Sequence, residues 1–311
     1  MNDRPLRPAT ATRELDAAAV AGICGVPLDN TRRFAGLRGL TTLAAPVARH
    51  LVFLDAFAEE RLAAIEAAPD GTLFLLPEEY RGHVGQAALF VRHVREAFAA
   101  LVNALFDYEG GYWEGYETAE AAATRRPGVR IMPGATVHVA AAIGEGTFIF
   151  PGVSIGPNVE IGRDCLIFAN TAIGFAGFGV FSDSDGRNRH LPHVGGVILG
   201  DQVEIGALNT VCAGTIHPTV VEDTVKTDAH VHIAHNCWIR RGAKLTAHAE
   251  LSGSVEVGED AWLGPNCSVI ESTRIGRGAL IGIGANVVKS IPDGVVAAGN
   301  PARVLRKVDA D

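Results

Sequence analysis

The sequence is poor in cysteine, with five in 311 residues at positions 24, 165, 212, 237 and 267 and no C-x-x-C pair. An odd, widely spaced set excludes a disulfide framework and a thiolate zinc site, and it fits a reducing compartment. A basic surplus is also missing. Lys and Arg number 27 against 35 Asp and Glu, a net charge of −8, so nothing offsets the phosphate backbone of a nucleic acid. No run of 18 uncharged apolar residues occurs, which excludes a membrane-spanning helix. The opening MNDRPLRPATATRELD lacks an apolar central segment, so no signal peptide and a cytoplasmic location are expected. Disorder is excluded by a composition that is 48% hydrophobic and only 20% charged.

Glycine is abundant instead, at 36 of 311 residues, well above the roughly 7% of an average protein. The chain changes texture near residue 125, and the excess needs a backbone explanation on the far side of that point. Before it, Glu14–Ile23 and Glu59–Ala68 read as short helices, and Leu51–Leu54, Thr72–Leu76 and Ala88–Val91 as buried strands. Arg92–Phe106 carries apolar residues at 94, 98, 101, 102 and 105, the stripe of an amphipathic helix. Residues 1–106 are thus expected to form a small α/β domain, with 107–130 as a linker.

Beyond Arg130 an aliphatic residue recurs every sixth position, from Ile131 through Val137, Ile143, Ile149, Ile155, Ile161 and Ile167 to Ile173. The register resumes at Leu199, Ile205 and Val211, then runs from Ile233 to Val287. This is the hexapeptide signature of a parallel β-helix, in which three six-residue units close one coil and the aliphatic residues stack in columns. Turns such as Gly156-Pro157-Asn158 and Gly264-Pro265-Asn266 account for the glycine. The solenoid is expected over 131–290, followed by a tail over 291–311. Two breaks interrupt it, at 174–198 and at 212–226, with extra residues placed around His217–Glu222. Loops ejected from a regular solenoid usually lie over a binding cleft, although a neutral insertion gives the same pattern.

In order along the chain come Gly177-Phe178-Gly179, His190-Leu191-Pro192-His193, Gly200–Ala207 and Ile233-Ala234-His235-Asn236. This succession resembles the UDP-3-O-acylglucosamine N-acyltransferase family. The N-terminal part, including Gly22-Ile23-Cys24-Gly25 and Phe53, is similar to that family's uridine-binding domain. The resemblance implies a mainly β fold, a left-handed parallel β-helix, assembled as a homotrimer with sites between neighbouring subunits. It implies an N-acyltransferase that moves an acyl group from a thioester to the amine of a nucleotide-activated amino sugar, as in lipid A synthesis. No tightly bound cofactor is implied; acyl carrier protein or acyl-CoA delivers the acyl group.

On this resemblance His235 is the general base and the Gly253 backbone N–H is the oxyanion donor, the two groups such a reaction needs. Asp228, His232, Asn236, Phe178 and Gly179 are carried over as substrate contacts. The closing Gly299-Asn300-Pro301-Ala302 looks like that of coenzyme A-dependent sugar acetyltransferases, which makes Asn300, Arg303, Arg306 and Lys307 the candidate donor site. Each residue also has a plainer reading. His230 and His232 alternate with Val231 and Ile233 as on a solvent face, Gly253 suits an ordinary turn, and Asp228 suits a solvated one. His230, His232, His235 and His248 evoke a metal site, but no carboxylate or cysteine stands at ligand spacing.

The departures are specific. Thr227-Asp228-Ala229 lacks the family's amide, Val211-Cys212-Ala213-Gly214 lacks two charged residues, and a second family histidine would fall near Ser272. They leave open the acceptor sugar, the acyl length and the donor. A coenzyme A-dependent enzyme for a dideoxyamino sugar and a non-catalytic trimeric scaffold are the competing readings.

Overall fold

The computed structural model describes residues 6–34 and 36–308. The first five residues, on which part of the signal-peptide reading falls, and the last three of the tail lie outside them. The chain divides into two units, one comprising Leu6–Trp113 with Phe178–Pro192, the other Glu114–Gly177 with His193–Asp311.

In the first unit β1 (Ala9–Leu15) leads into α1 (Ala17–Cys24), followed by β2 (Leu37–Leu40), β3 (His50–Phe53), α2 (Leu62–Glu66), β4 (Leu73–Pro77), β5 (Ala87–Val91) and α3 (Val94–Phe106). The sheet order is β1-β2-β3-β4-β5, antiparallel between β1 and β2 and parallel thereafter. The helix expected from Glu14 begins later, because Asp16 is extended and caps it, accepting the Ala19 N–H at 2.8 Å. Strands β4 and β5 are buried on both faces, which explains their unbroken apolar runs. Residues 178–192 form a hairpin of Val180–Ser182 against Asn188–His190. The Ser184 N–H and hydroxyl each donate to Glu96 of α3 at 3.0 Å.

The second unit is a parallel β-helix of the left-handed kind, walled by three sheets. The every-sixth residues stack coil on coil: Ile155 on Val137, Ile173 on Ile155, Ile233 on Val211, Leu251 on Ile233. Two residues before each aliphatic position lies a second buried column of smaller side chains, among them Ala243, Ala249, Val255, Ala261 and Ala279. Cys165, Cys237 and Cys267 occupy it, fully buried, as small apolar residues. Burial pushes the Cys267 thiol up to about 12, so it is inert near neutrality.

The turns divide their demands between two residues. Asn158 and Asn266 take the left-handed conformation with φ of 55°. Gly156 and Gly264 are needed for another reason: an added Cβ would lie 2.6 Å from a carbonyl oxygen of the next coil.

Where a linker was expected, the chain forms β6 (Tyr116–Thr118) and α4 (Ala119–Arg125). Strand β6 pairs antiparallel with Thr136–His138, while Ala119 and Ala122 enter the solenoid core. Arg126 fixes this cap, donating to the carbonyls of His138 and Ala141 at 3.1 and 3.0 Å. The second interruption is also shorter than the sequence implies. Thr219–Val221 is a regular strand paired with Val197–Leu199, so the extra residues fall before it and not around His217–Glu222. The tail likewise continues the fold, with Val295–Ala298 joining the ten-stranded sheet and Arg303–Lys307 running antiparallel along its edge.

Candidate active site

His235 lies two residues past Ile233, the core residue of the strand His232–Ile233, and is half-buried. Four neighbours define its cradle. Gly177 lies where an added Cβ would stand 2.8 Å from the ring Cδ2, and Gly253 where it would stand 2.6 Å from Cε1. His193 is fully buried and packs edge-on against the ring, with centroids 5.0 Å apart. Asn236, in the left-handed conformation at φ 60°, turns its amide back so that Nδ2 lies 3.0 Å from His235 Nδ1.

The tautomer follows from these contacts. The Asn236 Oδ1 accepts the Thr215 N–H at 2.9 Å, which leaves the amide N–H groups to donate to Thr215 Oγ1 at 3.3 Å and to His235. Nδ1 therefore accepts, and the neutral ring carries its proton on Nε2. Burial holds the His235 pKa below its ordinary value; Glu271 pulls the other way, and His232 adds to the lowering. The imidazole is thus neutral at pH 7. Gly253, one coil on, has a free N–H among the described residues, since its bonded neighbours in the turn are Ser252 and Ser254.

The other residues singled out from the sequence are distributed unevenly. His232 is on the same strand, half-buried, with Nδ1 against Thr210 Oγ1 at 2.5 Å and a pKa lowered by burial. Asp228 lies exposed on the preceding face of the coil, its carboxylate accepting the Ala229 N–H. Phe178 and Gly179 group with the other unit, where Phe178 is 84% exposed beside His190. Asn300 accepts from Asn286 at 3.2 Å. Register places Arg303 opposite Ala298 and Arg306 opposite Val296 on the outer side of the edge strand, whereas Lys307 pairs with Val295. Two of the three candidate cations share a face.

His230 and His248 stack with rings 4.7 Å apart and 3° from parallel, at an exposed corner. Among the described residues no three His, Cys, Asp or Glu side chains converge as metal ligands.

In the first unit a cleft of about 600 Å³ opens at the carboxyl ends of β3, β4 and β5. Asp55, Glu79, Arg92, His93 and Arg95 line it, with Ser182 and Asn188 from the hairpin. Asp55 and Arg95 pair at 2.6 Å. Ligands of open parallel sheets bind at this end of the strands.

Residues 140–174 match the family described as bacterial transferase hexapeptide (six repeats). The solenoid is a hexapeptide-repeat structure. A UDP-3-O-acylglucosamine N-acyltransferase 2 of Legionella pneumophila is 42% identical over 80 residues, 26% of this chain and 23% of its own length. A UDP-3-O-acylglucosamine N-acyltransferase of Chlorobium chlorochromatii is 43% identical over 74 residues, covering 24% and 21%. The matched stretch is about a quarter of the length of these curated relatives. Among solved structures, the UDP-N-acetylglucosamine acyltransferase of Francisella novicida superposes with a TM-score of 0.53 at 27% identity, over 58% of this chain and 64% of that one. The sequence resemblance to these relatives thus extends over 74 to 80 residues, while the likeness of fold extends over 58% of the chain.

His193, Gly177, Thr215 and Glu271 were not assigned roles from the sequence. Gly177 and His193 stand within the quoted motifs, but only the closed coil brings them against His235.

Proposed function

We propose that the protein is an N-acyltransferase that moves an acyl group from a thioester to the amine of a nucleotide-activated amino sugar, as in lipid A synthesis. The observation that carries this reading is the juxtaposition of a neutral, half-buried imidazole at His235 with the free N–H of Gly253 one coil away. The names of these three relatives, acyltransferases of UDP-linked sugars, support the substrate class.

In the proposed reaction the amine nitrogen attacks the thioester carbonyl, with Gly253 N–H donating to the developing oxyanion. The C–N bond forms, the C–S bond breaks, and the amine proton passes through His235 to the departing thiolate. To accept at Nε2, the ring must carry its own proton on Nδ1. A half-turn of the Asn236 amide supplies Oδ1 as the acceptor there, exchanging the bond from Thr215 N–H at a cost of about 1 kcal/mol. A homotrimer in the cytoplasm belongs to the same reading, and light scattering tests the assembly.

The edge strand Arg303–Lys307, which stands where the family has a helical tail, favours coenzyme A as the alternative donor. A mass-spectrometric screen of acyl-carrier and acyl-CoA donors against UDP- and dTDP-amino sugars decides both questions. Transfer to an amino sugar from either donor is the expected result. Failure with every pair overturns the reading in favour of a scaffold.

A further inference from the structure

Three coil-equivalent positions lie below one another on the face that carries His235. Ile233 pairs with Leu251 and Leu251 with Val269, so His235, Gly253 and Glu271 fall in one column at steps of 18 residues. The turns are tied directly: Ser254 N–H donates to the His235 carbonyl at 2.9 Å and Ser272 N–H to the Gly253 carbonyl at 3.0 Å. At the strand spacing of a sheet, His235 and Glu271 are roughly 9–10 Å apart along the axis at the backbone. The position between them carries no side chain. The His235 ring leans into that space, 2.6 Å at Cε1 and 2.9 Å at Nε2 from where a Gly253 Cβ would stand, so the imidazole overhangs the glycine on the side towards Glu271.

The Glu271 carboxylate is exposed and has no hydrogen-bond or ion-pair partner among the described residues. The remaining groups around His235 are His193 from the returning segment, His232 on its own strand, Glu250 facing His232, and Lys289 one coil beyond Glu271. Of these, Glu271 is the carboxylate whose charge reaches the His235 ring.

We infer that Glu271 is the second wall of the acceptor subsite, a positioning residue that selects an amine over a hydroxyl. This rests on the proposed acyl transfer and names the group that recognises its acceptor. An amino sugar arriving as its ammonium form is held by the carboxylate beside the overhanging imidazole, presenting its nitrogen towards His235. A hydroxyl in that place carries no charge and gains little from Glu271.

Calorimetric binding of UDP-glucosamine and UDP-glucose to the full-length protein tests this without any turnover. The wild type is expected to prefer the amino sugar about 3- to 10-fold, the range of a partly exposed ion pair. Glu271→Gln should abolish that preference while leaving UDP-glucose affinity unchanged, and Glu271→Asp should keep part of it. In parallel, NMR titration of the His235 ring should give a lower pKa in Glu271→Gln, because a carboxylate that favours the imidazolium is gone. Equal binding of the two sugars by the wild type, or a variant that keeps both the preference and the ring pKa, overturns the assignment. Failure of acyl transfer itself would appear in the turnover screen, whereas these two measurements read Glu271 alone.

Discussion

Two turns of the solenoid, Ile233–Asn236 and Leu251–Ser254, repeat the same backbone in adjacent coils. Ser254 and Asn236 both adopt left-handed φ, 62° and 60°, and the strands before them pair residue for residue. One turn carries an imidazole held by an amide; the other carries nothing at the equivalent place. The reactive geometry needs both. A side chain at Gly253 would collide with the His235 ring that lies over it, and a second glycine at 235 would leave the turn without chemistry. In a repeat protein the scaffold is the part that recurs, and the site is where neighbouring repeats differ.

The sharpest way to break the comparison is to make the two turns alike. His235→Ala should lower turnover by roughly 10²–10⁴-fold, the usual size of a lost general base, with nucleotide-sugar binding nearly unchanged. Next comes the reverse change. Gly253→Ala keeps the N–H and its backbone is outside the left-handed region, so the fold tolerates it. Its methyl meets His235 Cε1 and displaces the ring, and kcat should fall about 10- to 100-fold, with an unchanged circular dichroism spectrum.

A smaller effect sharpens the role of Asn236. Burial keeps the His235 pKa below its usual 6.5, so kcat/KM should be level at pH 7 and fall only as the medium becomes acid enough to protonate the ring. Asn236→Asp places a negative charge beside Nδ1, which favours the imidazolium. The acid limb of the kcat/KM profile should therefore move to higher pH, with activity at pH 6 reduced relative to that at pH 8. The smallest change concerns the donor. Neutralising Arg303, Arg306 and Lys307 together should raise the donor KM a few-fold at low salt and hardly at all at high salt, since these side chains are exposed and their field is screened.

The solenoid was legible because burial in a coil repeats with the chain, so one inward residue in six records it. Elsewhere the record is weaker. The Ala-rich segment Ala119–Arg125 reads as a linker, because alanine marks a helix only once the first coil is present to cover Ala119 and Ala122. Thr219–Val221 was hidden inside an apparent insertion, since Val221 follows Val211 by ten residues and the next core position, six residues on, is Thr227 and not an aliphatic residue. For the site, His235 was readable from its motif, but Glu271 was not. It is 36 residues away, and its relevance depends on a coil of 18 residues together with the missing side chain between.

A solenoid walled by three sheets has three ladder edges at each end, each a template on which another chain can continue the sheet. At each end one of the three closes on an antiparallel strand. At the start, β6 runs antiparallel against the first coil and α4 covers its core. At the finish, Arg303–Lys307 also runs antiparallel, slips register by a bulge against Val296–Ala297, and carries cations at three of its five positions. The sequence presents those cations as a possible grip on a donor. They also make the last strand a poor seat for a further coil, by reversing its direction, bending it and charging it. On those two sheets, copies of the molecule are thereby steered away from end-to-end growth.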